Sequence, residues 1–159
     1  MDFDVYSRQM VELVRPPMVP HAFISIRTPG DPNVVKLPIN HHTKGVLHLK
    51  FHDLDVVPQE ALDRGYLDGV NPAELFTDEM AQQVVQFMQP LKDQIDLLVA
   101  HCDAGWSRSP GVAAAIARTF YGLDDSHFFK RYTPNRRVYR NILNAYLDLI
   151  GSPEPVQQP

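Results

Sequence analysis

The sequence has a single cysteine, Cys102, among its 159 residues. One cysteine cannot build a disulfide framework within the chain, nor the paired-cysteine pattern of a structural zinc site. A lone unpaired thiol is typical of a reducing compartment, so we expect a cytoplasmic protein.

Basic charge and long apolar runs are also scarce. The formal net charge is −4 at pH 7, which does not favour nucleic acid as a partner. No apolar run reaches membrane-spanning length, and residues 1–4 are acidic where a signal peptide would be basic. We therefore expect no nucleic-acid partner and no membrane partner, and the oligomeric state stays open.

Metal-binding motifs are missing too, although histidines and aspartates are frequent between residues 41 and 55. The candidates there are His41, His42, His48, His52, Asp53 and Asp55. None of these histidines lies in a predicted helix, so they do not form the H-x3-H pair that holds a metal ion on a helix. We predict that the protein has no bound metal and needs no cofactor.

The composition that remains is that of one globular enzyme domain. Hydrophobic residues make up 44% and charged residues 21% of the chain, enough for a full core at this size. The sequence contains no repeat and no interdomain linker. We predict one domain over residues 1–150, followed by a flexible C-terminal tail over residues 151–159.

Strand and helix patterns alternate along this domain. Apolar runs predict strands at 22–26, 46–51 and 95–100, and helices are predicted at 7–14 and 110–120. Two further stripes at helical spacing follow Thr77 and Pro134: Met80, Val84, Met88 and Leu91, then Val138, Ile142, Tyr146 and Leu149. The alternation predicts an α/β sandwich with a mostly parallel central sheet flanked by helices, and sites at the carboxyl ends of its strands.

The run HCDAGWSRSP, residues 101–110, lies between the third predicted strand and the helix that follows it. Backbone N–H groups at a helix N-terminus are unpaired and the helix dipole is positive there, so the loop favours an anion. A phosphate group suits that field. We therefore predict a phosphate-binding loop.

Each residue type in the loop suits a step of phosphate chemistry. Cys102 is the predicted nucleophile, a thiolate in the positive field of the loop. Arg108 can hold two phosphate oxygens with its planar guanidinium, and Ser109 can donate to the sulfur and help it leave. Gly105 allows the backbone to turn inward. His101 is expected to shape the loop through hydrogen bonds to the backbone rather than to act as a base.

The variable positions of the loop are expected to contact the substrate together with Gly105 and Arg108. These positions are Asp103, Ala104, Trp106 and Ser107. None of them is basic, and a carboxylate at Asp103 would repel additional phosphates. Trp106 offers an aromatic wall suited to a phosphotyrosine ring.

The spacing of Cys102 and Arg108 resembles the H-C-x5-R-[ST] signature of cysteine-based protein phosphatases, in particular their small dual-specificity branch. The resemblance extends from about Gly45 to the C-terminal helix. It implies a general-acid aspartate on an upstream loop and a segment like 131–135 before the last helix, with Arg131 beside the pocket. Rhodanese-type sulfurtransferases have a shorter loop, and low-molecular-weight tyrosine phosphatases carry theirs near the N-terminus.

The general acid has four candidates. The resemblance favours Asp53, because it comes directly after the strand that ends at Phe51. Asp55 is the second candidate, and Asp63 and Asp68 in the following loop also stay open.

The predicted function is a metal-independent phosphomonoester hydrolase that forms a cysteinyl-phosphate intermediate. The expected partner is a phosphorylated protein or peptide, with phosphotyrosine as the first choice. Two alternatives stay open: a phosphatase for an inositol phosphate or nucleotide, and a phosphate-binding module without turnover.

Overall fold

The computed structural model describes residues 1–55 and 71–151. In chain order these contain β1 (Asp2–Ser7), α1 (Arg8–Leu13), β2 (His21–Arg27), β3 (Thr43–Lys50), a 3-10 helix (Pro72–Glu74), α2 (Asp78–Leu91), β4 (Leu97–Cys102), α3 (Arg108–Tyr121), α4 (Ser126–Arg131) and α5 (Arg136–Ile150). Asp63 and Asp68, together with the predicted tail beyond residue 151, lie outside the described residues.

The four strands form one parallel sheet in the order β1-β4-β2-β3. β4 lies between β1 and β2, and all six of its residues are buried. Parallel strands end at a common edge, so the segments that follow β2, β3 and β4 meet there. The predicted α/β sandwich with a mostly parallel sheet is confirmed.

Successive side chains of a strand point to opposite faces of the sheet. Buried side chains of β2 and β4 therefore lie on both faces, and both faces are covered. Helices α2, α3 and α5 cover one face, where they pack on Ala22, Ile24 and Ile26 of β2 and on Leu98 of β4. Val11 of α1 and Val35 of the β2–β3 connection cover Phe23, Leu97 and Val99 on the other face. Helix α4 packs through Phe128 against α3.

Local side chains explain where several helices begin. Ser7 caps α1 by accepting a hydrogen bond from the Met10 N–H (3.1 Å), and Thr77 caps α2 in the same way through the Met80 N–H (3.2 Å). Both starts agree with the sequence prediction. Helix α2 continues through Pro90 to end at Leu91.

The structure also departs from the sequence prediction. Strand β1 and helix α4 were not predicted, and β4 extends through His101 to Cys102. The stripe of α5 was predicted to include Leu149, but that side chain is 40% exposed and the buried positions are Val138, Ile142 and Ala145. Within the described residues, no helix combines the length and apolar character of a membrane span.

Candidate active site

The loop of residues 102–108, here called the cysteine loop, connects the end of β4 to the start of α3. Gly105 at its centre has φ +68°, a conformation that side chains other than glycine rarely adopt. A Cβ atom there would lie 2.4 Å from the Ser7 N and 2.6 Å from the Tyr6 carbonyl carbon. The loop therefore packs directly on the backbone of the β1–α1 junction, and this contact fixes its position.

Cys102 lies at the base of the cysteine loop with only 2% of its surface exposed. Its Sγ is 3.1 Å from the Ser109 Oγ and 3.4 Å from the Ser109 N, whose N–H donates to it. Ser109 is in the first turn of α3, so the sulfur lies at the N-terminus of that helix. Two donors and the positive end of the dipole stabilise negative charge on sulfur.

The N-terminus of α3 has no side-chain cap. Ser107 is the N-cap residue, but its hydroxyl makes no capping bond to the helix. It donates instead to Asp53 Oδ1 (2.8 Å). The positive electrostatic field at the N-terminus of α3 is therefore directed into the loop, where it can stabilise an oxyanion.

Arg108 is the first residue of α3 and is 5% exposed. Its Nη1 donates to the Phe51 carbonyl (2.8 Å) and to Thr28 Oγ1 (3.0 Å), and its Nη2 donates to Asp103 Oδ2 (3.2 Å). The guanidinium carbon lies 6.0 Å from the centroid of the Phe51 ring. These contacts tie the arginine to the segments that follow β2, β3 and β4.

Asp103 was predicted as a substrate contact, and the structure brings its carboxylate to protein groups. Besides Arg108, the carboxylate accepts a hydrogen bond from the Thr28 hydroxyl. The backbone carbonyl of Asp103 also accepts from the Arg8 N–H (3.2 Å) at the start of α1. The neighbouring Ala104 is exposed at the rim of the loop.

The two described candidates for the general acid bind different groups. Asp53 lies beside the cysteine loop, where its Oδ1 accepts hydrogen bonds from the Ser107 hydroxyl (2.8 Å) and from Asn135 Nδ2 (2.9 Å). Asp55 lies at the N-terminus of α5 and accepts from the backbone N–H groups of Arg136 (2.7 Å) and Arg137 (3.2 Å). Only Asp53 therefore touches the loop that carries the nucleophile.

Asn135 is a site residue that the sequence did not identify beyond its place in the segment before the last helix. Its side chain is buried, and Nδ2 donates both to Asp53 and to the Leu54 carbonyl (3.1 Å). Its Oδ1 caps α5 by accepting from the Val138 N–H, and its own N–H donates to the Ser107 carbonyl. Through its side chain and its backbone together, Asn135 thus joins the acid segment, the cysteine loop and α5.

The rim of the site is aromatic on one side. Trp106 is 55% exposed, and its ring meets Tyr132 edge to face with centroids 6.0 Å apart. The Arg131 guanidinium lies over the Tyr132 ring at 5.4 Å. The Thr133 N–H donates to the Trp106 carbonyl (3.1 Å), which joins this segment to the cysteine loop.

His101 is buried beneath the loop on the opposite face of β4 from Cys102. Its Nε2 is 2.6 Å from the Ser25 hydroxyl of β2. Burial of the ring lowers the pKa of His101 to about 4. It is therefore neutral at pH 7, and its side-chain partner is a hydroxyl that the sequence analysis did not foresee.

The histidines and aspartates of residues 41–55 do not converge. Within residues 1–55 and 71–151, no three histidine, cysteine or acidic side chains are close enough together to hold a metal ion. His52 instead pairs with Glu74 at 3.2 Å.

No protein-family model matches this sequence, and no curated relative matches it. Several solved structures are similar in fold. The human tyrosine phosphatase-like serine/threonine/tyrosine-interacting protein matches 81% of this chain with 78% of its own, at 20% identity and a TM-score of 0.48. Human DUSP28 matches 95% of both chains at 13% identity and a TM-score of 0.48.

PTPMT1, solved in complex with PI(5)P, matches 95% of this chain with 94% of its own, at 12% identity and a TM-score of 0.49. Identities this low concern the fold alone.

Proposed function

We propose that this protein is a phosphomonoester hydrolase that works through a cysteinyl-phosphate intermediate and without a metal ion. One observation carries the proposal: the Cys102 sulfur accepts a hydrogen bond from the Ser109 N–H at the N-terminus of α3. That helix end has no side-chain cap, and its first residue is the buried Arg108. A nucleophile and an oxyanion site therefore share one loop. Arg108 and the loop N–H groups neutralise the charge that a metal would otherwise balance.

In the first step the Cys102 thiolate attacks phosphorus, and an S–P bond forms as the bond to the ester oxygen breaks. The departing oxygen takes a proton from Asp53. The hydrogen bond from the Ser107 hydroxyl holds the Asp53 carboxyl group beside the loop. Arg108 binds two of the equatorial oxygens.

In the second step a water molecule attacks phosphorus and the S–P bond breaks. The water loses its proton to Asp53, now a carboxylate, and inorganic phosphate is released. The Ser109 hydroxyl, 3.1 Å from Sγ, donates to the sulfur as negative charge returns to it. Cys102 is thereby restored as a thiolate.

The proposed substrate is a phosphorylated protein or peptide, with phosphotyrosine preferred. The exposed Trp106 ring and its neighbour Tyr132 form an apolar wall beside the opening of the loop. A flat aryl group can pack on such a wall, whereas a phosphoserine side chain offers little area to it. A reducing compartment such as the cytoplasm would keep Cys102 active, and we propose that location.

The test is hydrolysis of an aryl phosphate by the purified protein with a chelator present. We expect turnover that the chelator does not reduce, and loss of turnover in Cys102→Ser with phosphate-ester binding retained. Because Cys102 is the only cysteine, a phosphoryl group that fragmentation in the mass spectrometer locates on a cysteine after rapid quenching is on Cys102. Activity that survives Cys102→Ser, or that returns only with added metal, would contradict the mechanism.

The substrate class is tested with a panel of phosphotyrosine, phosphoserine and phosphothreonine peptides beside inositol phosphates and nucleotides. We expect the highest kcat/KM for phosphotyrosine peptides, and a Trp106→Ala variant that loses this preference. A higher kcat/KM for an inositol phosphate or a nucleotide would replace the protein substrate. Binding of all esters with no turnover would indicate a phosphate-binding module.

A further inference from the structure

The guanidinium of Arg108 is held along one edge and free along the other. A guanidinium has five N–H donors in a rigid plane. Three are used by Thr28, Phe51 and Asp103, all through Nη1 and Nη2. No group in the described part of the chain accepts from Nε, so Nε–H and the adjacent N–H of Nη2 are left. These two donors point the same way and match two oxygens of one phosphate.

The contacts on the held edge form a closed triangle. Arg108 donates to both Thr28 and Asp103, and the Thr28 hydroxyl in turn donates to the same Asp103 oxygen that Arg108 binds. Each residue of the triangle is hydrogen-bonded to the other two, and hydrogen bonds linked in this way polarise one another. An isolated ion pair with a carboxylate as exposed as that of Asp103, at 41%, would contribute little. The triangle restricts the rotation of the guanidinium.

We propose that Asp103 is a positioning residue for Arg108, and that with Thr28 it holds the outer edge of the guanidinium so that the Nε edge faces the phosphate. This assignment rests on the proposed function for its catalytic consequence. It replaces the sequence-based expectation that Asp103 contacts the substrate. It also explains why an acidic residue can follow the nucleophile directly in a loop built to bind an anion.

A positioning role and a simple charge effect predict opposite results for Asp103→Ala. Removing a carboxylate beside an anion site strengthens phosphate binding if only its charge matters. Releasing the guanidinium weakens phosphate binding, because the two-oxygen contact then has to be ordered at each binding event. The sign of the change therefore separates the two roles.

The experiment measures kcat and KM for an aryl phosphate, and the affinity for inorganic phosphate by calorimetry, in the full-length protein. The variants are Asp103→Ala, Asp103→Asn and Thr28→Val, with thermal unfolding as a check on folding. Asp31→Asn is the matched control, since Asp31 is a carboxylate in the same loop as Thr28 that pairs with Arg8 instead of Arg108.

We expect Asp103→Ala to lower kcat/KM by about 10- to 100-fold, mainly through kcat, and to weaken phosphate binding. Asp103→Asn keeps an acceptor oxygen and should recover part of the loss, and Thr28→Val should resemble a milder Asp103→Ala. In an Arg108→Lys background, Asp103→Ala should change kcat/KM little, because an ammonium group has no edge to orient. Asp31→Asn should leave both parameters near wild type.

Tighter phosphate binding with unchanged or higher kcat in Asp103→Ala would overturn the positioning role, as would full additivity with Arg108→Lys. Failure of the proposed function would look different. The wild-type protein would then hydrolyse no phosphate ester, while calorimetry with inorganic phosphate would still compare the variants. If Asp103→Ala does not fold, Thr28→Val and Asp103→Asn test the same triangle, and wild-type values for both would equally overturn it.

Discussion

Asp53 and Asp55 are two residues apart in sequence, but only Asp53 touches the cysteine loop. Asp53→Asn cannot supply a proton to the leaving oxygen, so we expect kcat to fall about 100-fold or more with little change in KM. The basic limb of the pH profile should flatten, because the variant has no donor to lose. The measurement is kcat against pH for aryl phosphates of different leaving groups, with the smallest loss for the best leaving group.

Asp55→Asn is the matched control for that variant. It removes a carboxylate that accepts from two N–H groups at the start of α5, so we expect a loss of about 1 kcal/mol in the free energy of unfolding and a nearly normal kcat. If Asp55→Asn shows the flattened profile and Asp53→Asn does not, the general acid is Asp55.

Arg108 is expected to be intolerant of lysine. Lysine keeps the positive charge but cannot bond Thr28, Phe51 and Asp103 while also presenting two parallel donors to phosphate. We expect Arg108→Lys to lose about 100-fold or more in kcat/KM, nearly as much as Arg108→Ala. Steady-state kinetics of the two variants provide the measurement, and a lysine variant close to wild type would mean that Arg108 does not bind the phosphate.

Residues whose chemistry is local could be predicted from the sequence, and residues that act across the fold could not. The placement of Cys102 and Ser109 follows from a strand, a turn and a helix start that are adjacent in the chain. The contacts of Asn135 with Asp53 and of Thr28 with Asp103 join segments more than 70 residues apart. Nothing in the local sequence distinguishes such an asparagine or threonine from an ordinary cap or turn residue.

At the scale of elements, the contact of the cysteine loop with the β1–α1 junction requires glycine at position 105, and substitution can test this requirement. Gly105 and Gly122 both have positive φ, +68° and +59°, but a Cβ would meet backbone atoms only at Gly105. We expect Gly105→Ala to lower the free energy of unfolding by about 2–5 kcal/mol, from backbone strain and steric overlap together, and to reduce kcat. Gly122→Ala carries the strain alone and should cost about 1–2 kcal/mol.

Chemical denaturation and kinetics of these two alanine variants provide the measurement. The activity of Gly122→Ala should stay normal, because Gly122 caps the C-terminus of α3, far from the N-terminus of that helix where Arg108 and Ser109 lie. Equal losses of stability in both variants would mean that the loop can move away from Tyr6 and Ser7 at no cost.

Elements were predictable where their own side chains carry the pattern. Helix α2 has a capping threonine and an apolar stripe, and β4 begins with four consecutive apolar residues, Leu97–Ala100. β1 contains Asp2 and Asp4 and is only partly buried, because it is an edge strand whose pairing partner, β4, is distant in sequence. Helix α4 has six residues, too few for a periodic signal, and it forms because Phe128 packs on α3.

For the whole molecule, the parallel sheet explains why the site lies where it does. Thr28 follows β2, Phe51 follows β3 and Cys102 is the last residue of β4. The carboxyl ends of three parallel strands therefore place these residues at one edge of the sheet. Helices α3 and α5 add Arg108 and Asn135 from one covering layer. The edge could be predicted from the alternation of strands and helices, which implies a parallel sheet, but the distances between these side chains depend on packing that only the folded chain shows.

The stability of the whole molecule should depend on the protonation of His101. Burial lowers its pKa to about 4 in the folded protein, while an unfolded chain gives histidine its ordinary value of about 6.5. Between these values the unfolded state binds more protons, so the free energy of unfolding falls as the pH drops from about 6.5 to about 4. The full difference amounts to about 3 kcal/mol.

Urea unfolding at several pH values in this window, for wild type and for His101→Asn, measures the effect. The variant has no imidazole to protonate, so its stability should change less with pH, and the two curves should converge towards pH 4. Half-buried His42 also has a lowered pKa, mainly from desolvation, and His42→Asn is therefore the control that should leave most of the slope in place. Backbone N–H groups of Asn33 and Ser126 lower the pKa of Asp31 and Asp124, so the titration of those carboxylates changes the free energy of unfolding only below this pH window.

A wild-type slope that persists in His101→Asn would mean that the buried imidazole becomes protonated without cost, and that its bond to Ser25 tolerates the charged ring.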